Sequence, residues 1–212
     1  LSEHPWPYYL PSTRDDIVAL GVISLNYGQL EAMFRALFAL VTGMNEFQAA
    51  AIFHRIPNNI RLNVLEELPA KSELDTALRA DVGYFMRGFS TCADNRNDIM
   101  HSFSGGTYTG SATTGQYGMV LSKFSKAGNK LEWYATTEAL QRVADDTYAF
   151  MLYGAKVIGE IGVYQSILRE PEETRRKWRG PSPDKPPLPA RMNWHFLGDS
   201  IMPSPLPPPF LA

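Results

Sequence analysis

Over most of the first two-thirds of the chain, apolar residues recur at three- and four-residue steps, the spacing of helices that turn one face inward. In "STRDDIVALGVISLNYGQLEAMFRALFALVTG" the stripe is Ile17, Leu20, Tyr27, Leu30, Phe34, Leu37 and Val41, and Ser12 or Thr13 ahead of Asp15 and Asp16 supplies a capped start. This predicts one long helix ending at Gly43. Extra apolar side chains on its other faces imply enclosure on more than one side. A transmembrane span competes for so apolar a run, but Asn26, Gln29, Glu31 and Arg35 interrupt it. A charge near a bilayer centre costs roughly 2.5 to 3.5 kcal/mol. A buried bundle helix, without a membrane, is the expectation.

After Gly43, "NEFQAAAIFHRI" reads as a short helix stopped by Pro57, and "NNIRLNVLEEL" as another, capped by Asn58 or Asn59 and stopped by Pro69. Ser72 with Asp75 three residues on opens a third long run, in which Leu74, Leu78, Val82, Phe85, Phe89 and Ile99 suit a buried stripe. Gly105 and Gly106 end that helical pattern. From about 106 to 136 the residues change to Thr, Tyr and Val with glycine turns, which predicts a small antiparallel β-insert: a hairpin around "KAGNK", with room for a third strand. Thr137 before Glu138 restarts a helix, with Leu140, Val143, Tyr148, Met151, Leu152, Ala155, Ile158 and Ile161 down one broad side.

The fold class expected is therefore all-α: a helical bundle with a small antiparallel β-hairpin inserted before its last long helix. Residues 1–12 form an N-terminal extension, 13–168 the helical domain, and 169–212 a basic and then Pro-rich C-terminal arm. Most of the 16 prolines fall in that arm, which blocks helix there. Because Trp178, Trp194, Phe196, Leu197 and Ile201 are scattered through it, the arm is expected to lie extended over its own domain or a partner.

Composition narrows the function less than the pattern narrows the fold. A net charge of −2 and a pI near 6.1 argue against coating nucleic acid through bulk charge, while leaving a local basic site open. Cys92 is the sole cysteine, so no intrachain disulfide can form and a reducing, cytoplasmic setting is expected. "LSEHPWPYYLP" lacks a basic start followed by an apolar core, so no signal peptide is read there, and the native start stays open.

The chemistry concentrates in "DNRNDIMHS", Asp94 to Ser102, at the end of the third long run. On an ideal helix Asn97 and His101 stand one turn apart on one face, while Arg96 and His101 are about 140° apart, a gap that a long arginine side chain can cover. Asn97 is placed to hydrogen-bond His101 and fix its tautomer. "RNDIMH", Arg96 to His101, resembles the Arg-x4-6-His motif of the HEPN superfamily, including the polar residue after the arginine. The order of elements from Thr13 to Leu168 is similar too, since HEPN domains are helical bundles with the motif near the end of a long core helix. The resemblance implies a metal-independent endoribonuclease of the kind found in toxin–antitoxin or phage-defence systems, with RNA as substrate and an antitoxin among its partners. It further implies a homodimer with two motifs meeting across a symmetric interface. By that likeness Arg96 clamps phosphate, His101 is the general acid or base, and Asn97 orients it. The residue types suit that chemistry, because arginine offers a forked, permanently charged donor to phosphate and histidine exchanges protons near neutral pH.

Other readings stand beside this one. Arg96 can pair with Asp94, Asp98 or a carboxylate on a neighbouring helix, Asn97 can act as a cap, and His101 can be a polar helix terminus. The whole would then be a non-catalytic RNA- or protein-binding dimerisation module. Tyr27 and Glu31, one turn apart, are candidates to sit behind the motif and tune it. His54 and Arg55 suit a helix end better than a phosphate groove, and Cys92 suits a small buried side chain better than a nucleophile. Arg175, Arg176, Lys177, Trp178 and Arg179 form a basic run that either contacts RNA or ends a solvated helix. The four histidines and Cys92 have no zinc spacing, the carboxylates form no calcium loop and no phosphate-loop pattern occurs. Neither a metal nor a cofactor is expected.

Overall fold

The computed structural model describes residues 14–71, 74–109, 117–170, 172–173, 182–192 and 194–196. It is mostly helical, with an antiparallel hairpin before the last long helix. The helices are α1 (Arg14–Thr42), α2 (Glu46–Phe53), α3 (Asn58–Lys71), α4 (Thr76–Met100) and α5 (Thr137–Ile167). Between α4 and α5 run β1 (Phe103–Thr109), β2 (Tyr117–Phe124) and β3 (Lys130–Thr136), and β4 (His195–Phe196) joins from the C-terminal arm. The sheet order is β1-β2-β3-β4, each neighbouring pair antiparallel.

Side-chain caps set where the helices start. Asn45 and Gln48 form a reciprocal capping box on α2, with the Gln48 amide donating to Asn45 Oδ1 at 2.9 Å. α4 starts on Asp75, whose Oδ1 accepts from the Leu78 amide at 2.8 Å, and not on Ser72, which lies outside the described residues. α5 is capped by Thr136, whose Oγ1 accepts from the Ala139 amide at 3.1 Å; the expected cap, Thr137, instead donates to Asp16 Oδ1 at 2.6 Å. α3 passes Pro69 to end at Lys71, because a proline in a last turn forfeits one backbone hydrogen bond without breaking the turns before it. Gly105 and Gly106 belong to β1 and not to a helix end: the pairing with β2 slips between Ser104 and Gly106, a bulge that glycine accommodates.

The chain divides into two compact units, and α1, α4 and α5 each contribute to both. The first holds residues 1–24, 94–144 and 191–212. Its core joins Ala19 and Ile23 of α1, Ile99 of α4, Met119 and Leu121 of β2, Ala135 of β3, and Leu140, Val143 and Ala144 of α5. The hairpin turns at Ser125–Asn129, where Gly128 takes φ 81° and donates to the Ser125 carbonyl at 2.9 Å. An L side chain rarely adopts that conformation, so the "KAGNK" turn depends on its glycine.

The second unit holds residues 25–93 and 145–190. Its core is aromatic: Phe34, Phe53, Phe85, Phe89, Phe150 and Tyr153 are buried together, with Phe34 against Phe89 at 4.1 Å between ring centroids. All six residues of the expected α4 stripe are buried. On α5 the expected Leu140, Val143 and Ile161 are buried and Met151 and Ile158 half-buried, but in the middle of the helix Thr147, Phe150, Tyr153 and Val157 are buried while Tyr148, Leu152 and Ala155 are exposed. On α1, Val18, Val22 and Leu25 lie exposed along one stripe, Leu25 at 73%. By length and composition α1 could cross a membrane, yet it carries Glu31, Arg35 and the buried Asp16 within its span.

Candidate functional site

The motif occupies the last turns of α4, in the first unit. The His101 amide donates to the Asn97 carbonyl at 2.9 Å, closing the final α-turn, and the Ser102 amide reaches Ile99 O at 3.3 Å, a tighter turn that ends the helix. The Ser102 hydroxyl also donates to the Asp98 carbonyl. β1 begins immediately afterwards at Phe103, so His101 stands just past the helix, on a short link between helix and sheet.

Arg96 and Asn97 are joined: guanidinium Nη1 donates to Asn97 Oδ1 at 3.1 Å. Asn97 therefore turns its carbonyl oxygen to the arginine. Asn97 and His101 are exposed and Arg96 is half-buried. Among the described residues, nothing hydrogen-bonds the His101 imidazole.

The two acidic neighbours on the same turns are engaged elsewhere. Asp94 pairs with Arg191. Asp98 meets Lys123 Nζ through Oδ1 and the Trp194 indole N–H through Oδ2 at 3.0 Å, while Lys123 lies 4.1 Å from the centre of the Trp194 ring. Asn95, buried, accepts from the Met192 amide at 3.2 Å. Thus the arm from Arg191 onward binds Asp94, Asn95 and Asp98, and β4 extends the sheet by pairing Glu132 with His195 and Leu131 with Phe196. Over these residues the arm lies on its own unit. Asp98, Lys123 and Trp194 are not legible as a group in the sequence, since the helix, strand and arm that supply them are far apart in the chain.

The other sequence candidates have partners of their own. Tyr27 stacks on Phe89 and Glu31 pairs with Arg61 at 3.6 Å, both within the second unit. Arg61 also lies over the Phe53 ring at 4.0 Å and donates to Ile56 O, which makes Glu31 part of a structural brace. His54 closes the C-terminus of α2 with its ring edge-on to Phe53, as a helix terminus should. Cys92 is buried, hydrogen-bonded to Thr147, and burial pushes its thiol up to about 12, the wrong direction for a nucleophile. The basic run Arg175–Arg179 lies outside the described residues. Among the described residues no group of three or more His, Cys, Asp or Glu is placed to hold a metal ion.

What the motif offers chemically is an exposed imidazole one turn from an amide that holds a guanidinium. The first can exchange a proton with a ligand, and the second can present N–H donors to an anion. No family model, curated protein or solved structure matches this chain.

Proposed function

We propose that the exposed end of α4 is a metal-independent ribonuclease site of HEPN type, with Arg96 binding the scissile phosphate and His101 moving protons. One observation carries the reading. Arg96, joined to Asn97, lies on the same last turns that end in an exposed His101, so one helix end carries both a cation and a proton carrier. Asp94 and Asp98, the acidic neighbours on those turns, are turned to Arg191, Lys123 and Trp194.

The reaction this supports is internal transesterification. A neutral imidazole takes the proton of a ribose 2′-OH, O2′ bonds to phosphorus, and the P–O5′ bond breaks. The guanidinium offsets the charge on the non-bridging oxygens, and an imidazolium returns a proton to the leaving 5′-oxygen. The products are a 2′,3′-cyclic phosphate and a 5′-hydroxyl. By the same resemblance, a second protomer supplies the second histidine across a two-fold interface. A toxin or phage-defence role, with an antitoxin as partner, is the biological setting that goes with such an activity.

The test is cleavage of a labelled RNA in the presence of chelator. His101→Ala and Arg96→Ala should keep the helical circular dichroism of the parent and lose cleavage by at least about 100-fold. Equal cleavage by parent and His101→Ala rejects the site.

A second reading has its own observation. Val18, Val22 and Leu25 expose an apolar stripe on α1, as a non-catalytic dimerisation module would. On that reading Leu25→Asp converts a dimer to a monomer in light scattering, while RNA stays intact with every variant.

A further inference from the structure

The arm is latched to α4 a second time, in the second unit, around one buried carboxylate. Asp81 is 1% exposed. It accepts from the Tyr153 hydroxyl at 3.1 Å and from Lys185 Nζ at 2.8 Å, and the Ser182 hydroxyl lies 3.0 and 2.9 Å from its two oxygens. One turn on, the Tyr84 hydroxyl donates to the Pro186 carbonyl at 2.5 Å, and Lys185 stands 5.5 Å from the centre of the Tyr84 ring. Two of the three side chains on Asp81 therefore come from the arm. A buried carboxylate is tolerated only while it is paired and hydrogen-bonded, so this cluster is where docking is won or lost.

Ser182 is the weak point. It is an exposed residue, and the segment 182–192 has neither helix nor strand. Pro183, Pro186 and Pro187 favour an extended course, and an extended serine followed by proline is the shape and sequence that proline-directed protein kinases accept. Yet its hydroxyl touches a carboxylate that is almost wholly buried. We propose that Ser182 is a phosphorylation site whose modification releases residues 182–190 from α4. Transfer forms an Oγ–P bond at Ser182, breaks the bond between Pγ and the β,γ-bridging oxygen of ATP, and releases ADP and the hydroxyl proton. The donor to Asp81 is lost. In its place a group of about −1.5 to −2 charge abuts a carboxylate that cannot move into water. Among the described residues Lys185 is the cation paired with Asp81, and a single ammonium cannot neutralise both groups. The docking equilibrium should fall by at least about 100-fold.

Phosphorylation at Ser182 stands apart from the ribonuclease reading, and its test measures no RNA cleavage. Spin labels placed through Leu188→Cys and Ala77→Cys, both at exposed positions, report the arm's distance from α4 by pulsed electron resonance, and the buried Cys92 is spared. Three full-length chains are compared, with serine, alanine or phosphoserine at position 182. The distance distribution should be narrow for serine and for Ser182→Ala, in which Lys185 and Tyr84 still hold the arm, and should broaden for phosphoserine. A narrow distribution with phosphoserine overturns the switch, and equal broadening with alanine overturns its charge mechanism. Incubating the unmodified chain with a proline-directed kinase and ATP should place phosphate on Ser182 by mass spectrometry; an unmodified Ser182 overturns the site.

Discussion

Gly88→Ala adds a single methyl to α4 and should destabilise the protein, against the ordinary helix preference for alanine. A Cβ at Gly88 would lie 1.9 Å from Phe150 Cε1 and 2.2 Å from Cδ1. Phe150 is fully buried on α5, and its ring is stacked with Tyr84 at 5.9 Å, so it has nowhere to retreat. The arrangement is reciprocal, since a Cβ at Gly154 on α5 would lie 2.5 Å from Phe85 of α4. Each helix lends a glycine hole to the other's phenylalanine. Overpacking of this severity belongs at the upper end of the usual range, about 3 kcal/mol. Replacing a helical glycine by alanine returns about 1 kcal/mol. The net loss is about 2 kcal/mol, or roughly 4 to 8 °C in Tm for a chain of this size. Gly159→Ala is the control. No atom lies within 4 Å of a Cβ there, so only the propensity gain remains and Tm should rise by roughly 2 to 4 °C. Thermal unfolding followed by circular dichroism reads both, and Gly88→Ala with Phe150→Leu should recover part of the loss. If Gly88→Ala melts at or above the parent, the close approach of α4 and α5 is wrong.

Cys92 should resist a thiol reagent at pH 8 in the native protein and react fully in denaturant, because its thiol is buried and raised from 9.0 to about 12. Its folded value lies above its unfolded one, so this group's contribution is fully present below pH 9 and is lost as pH rises from 9 towards 12, by about 1 kcal/mol at pH 10. Comparing parent with Cys92→Ala in alkaline urea titrations isolates that loss, and parallel curves would contradict it. Trp194→Phe keeps a ring over Lys123 but removes the N–H donated to Asp98; the expected cost is about 1 kcal/mol, or roughly 2 to 4 °C in Tm, read by calorimetry.

Much of this fold is legible in the one-dimensional pattern. The α4 stripe from Leu74 to Ile99 is buried at every expected position, and the hairpin turns at the expected "KAGNK", because a strongly amphipathic helix and a glycine turn are dictated by neighbours a few residues away. α5 is different. It is apolar over so much of its circumference that periodicity fixes its helicity without fixing which face is inside; the hole at Gly88 takes Phe150 and the buried Asp81 takes the Tyr153 hydroxyl, while Tyr148 and Leu152 stay exposed. The start of α5 is misplaced by one residue for a similar reason, since Thr136 and Thr137 are equivalent by sequence and only the distant Asp16 claims one of them.

The motif divides along the same line. Sequence alone determined that Asn97 and His101 lie one turn apart near the end of a long helix, since helical geometry requires it. Tertiary structure alone decided that Tyr27 and Glu31 are occupied by Phe89 and Arg61, and that Asp98 is claimed by Lys123 and Trp194. Which charge neutralises which depends on groups brought within a few ångströms by folding, and no local spacing along the chain encodes that distance.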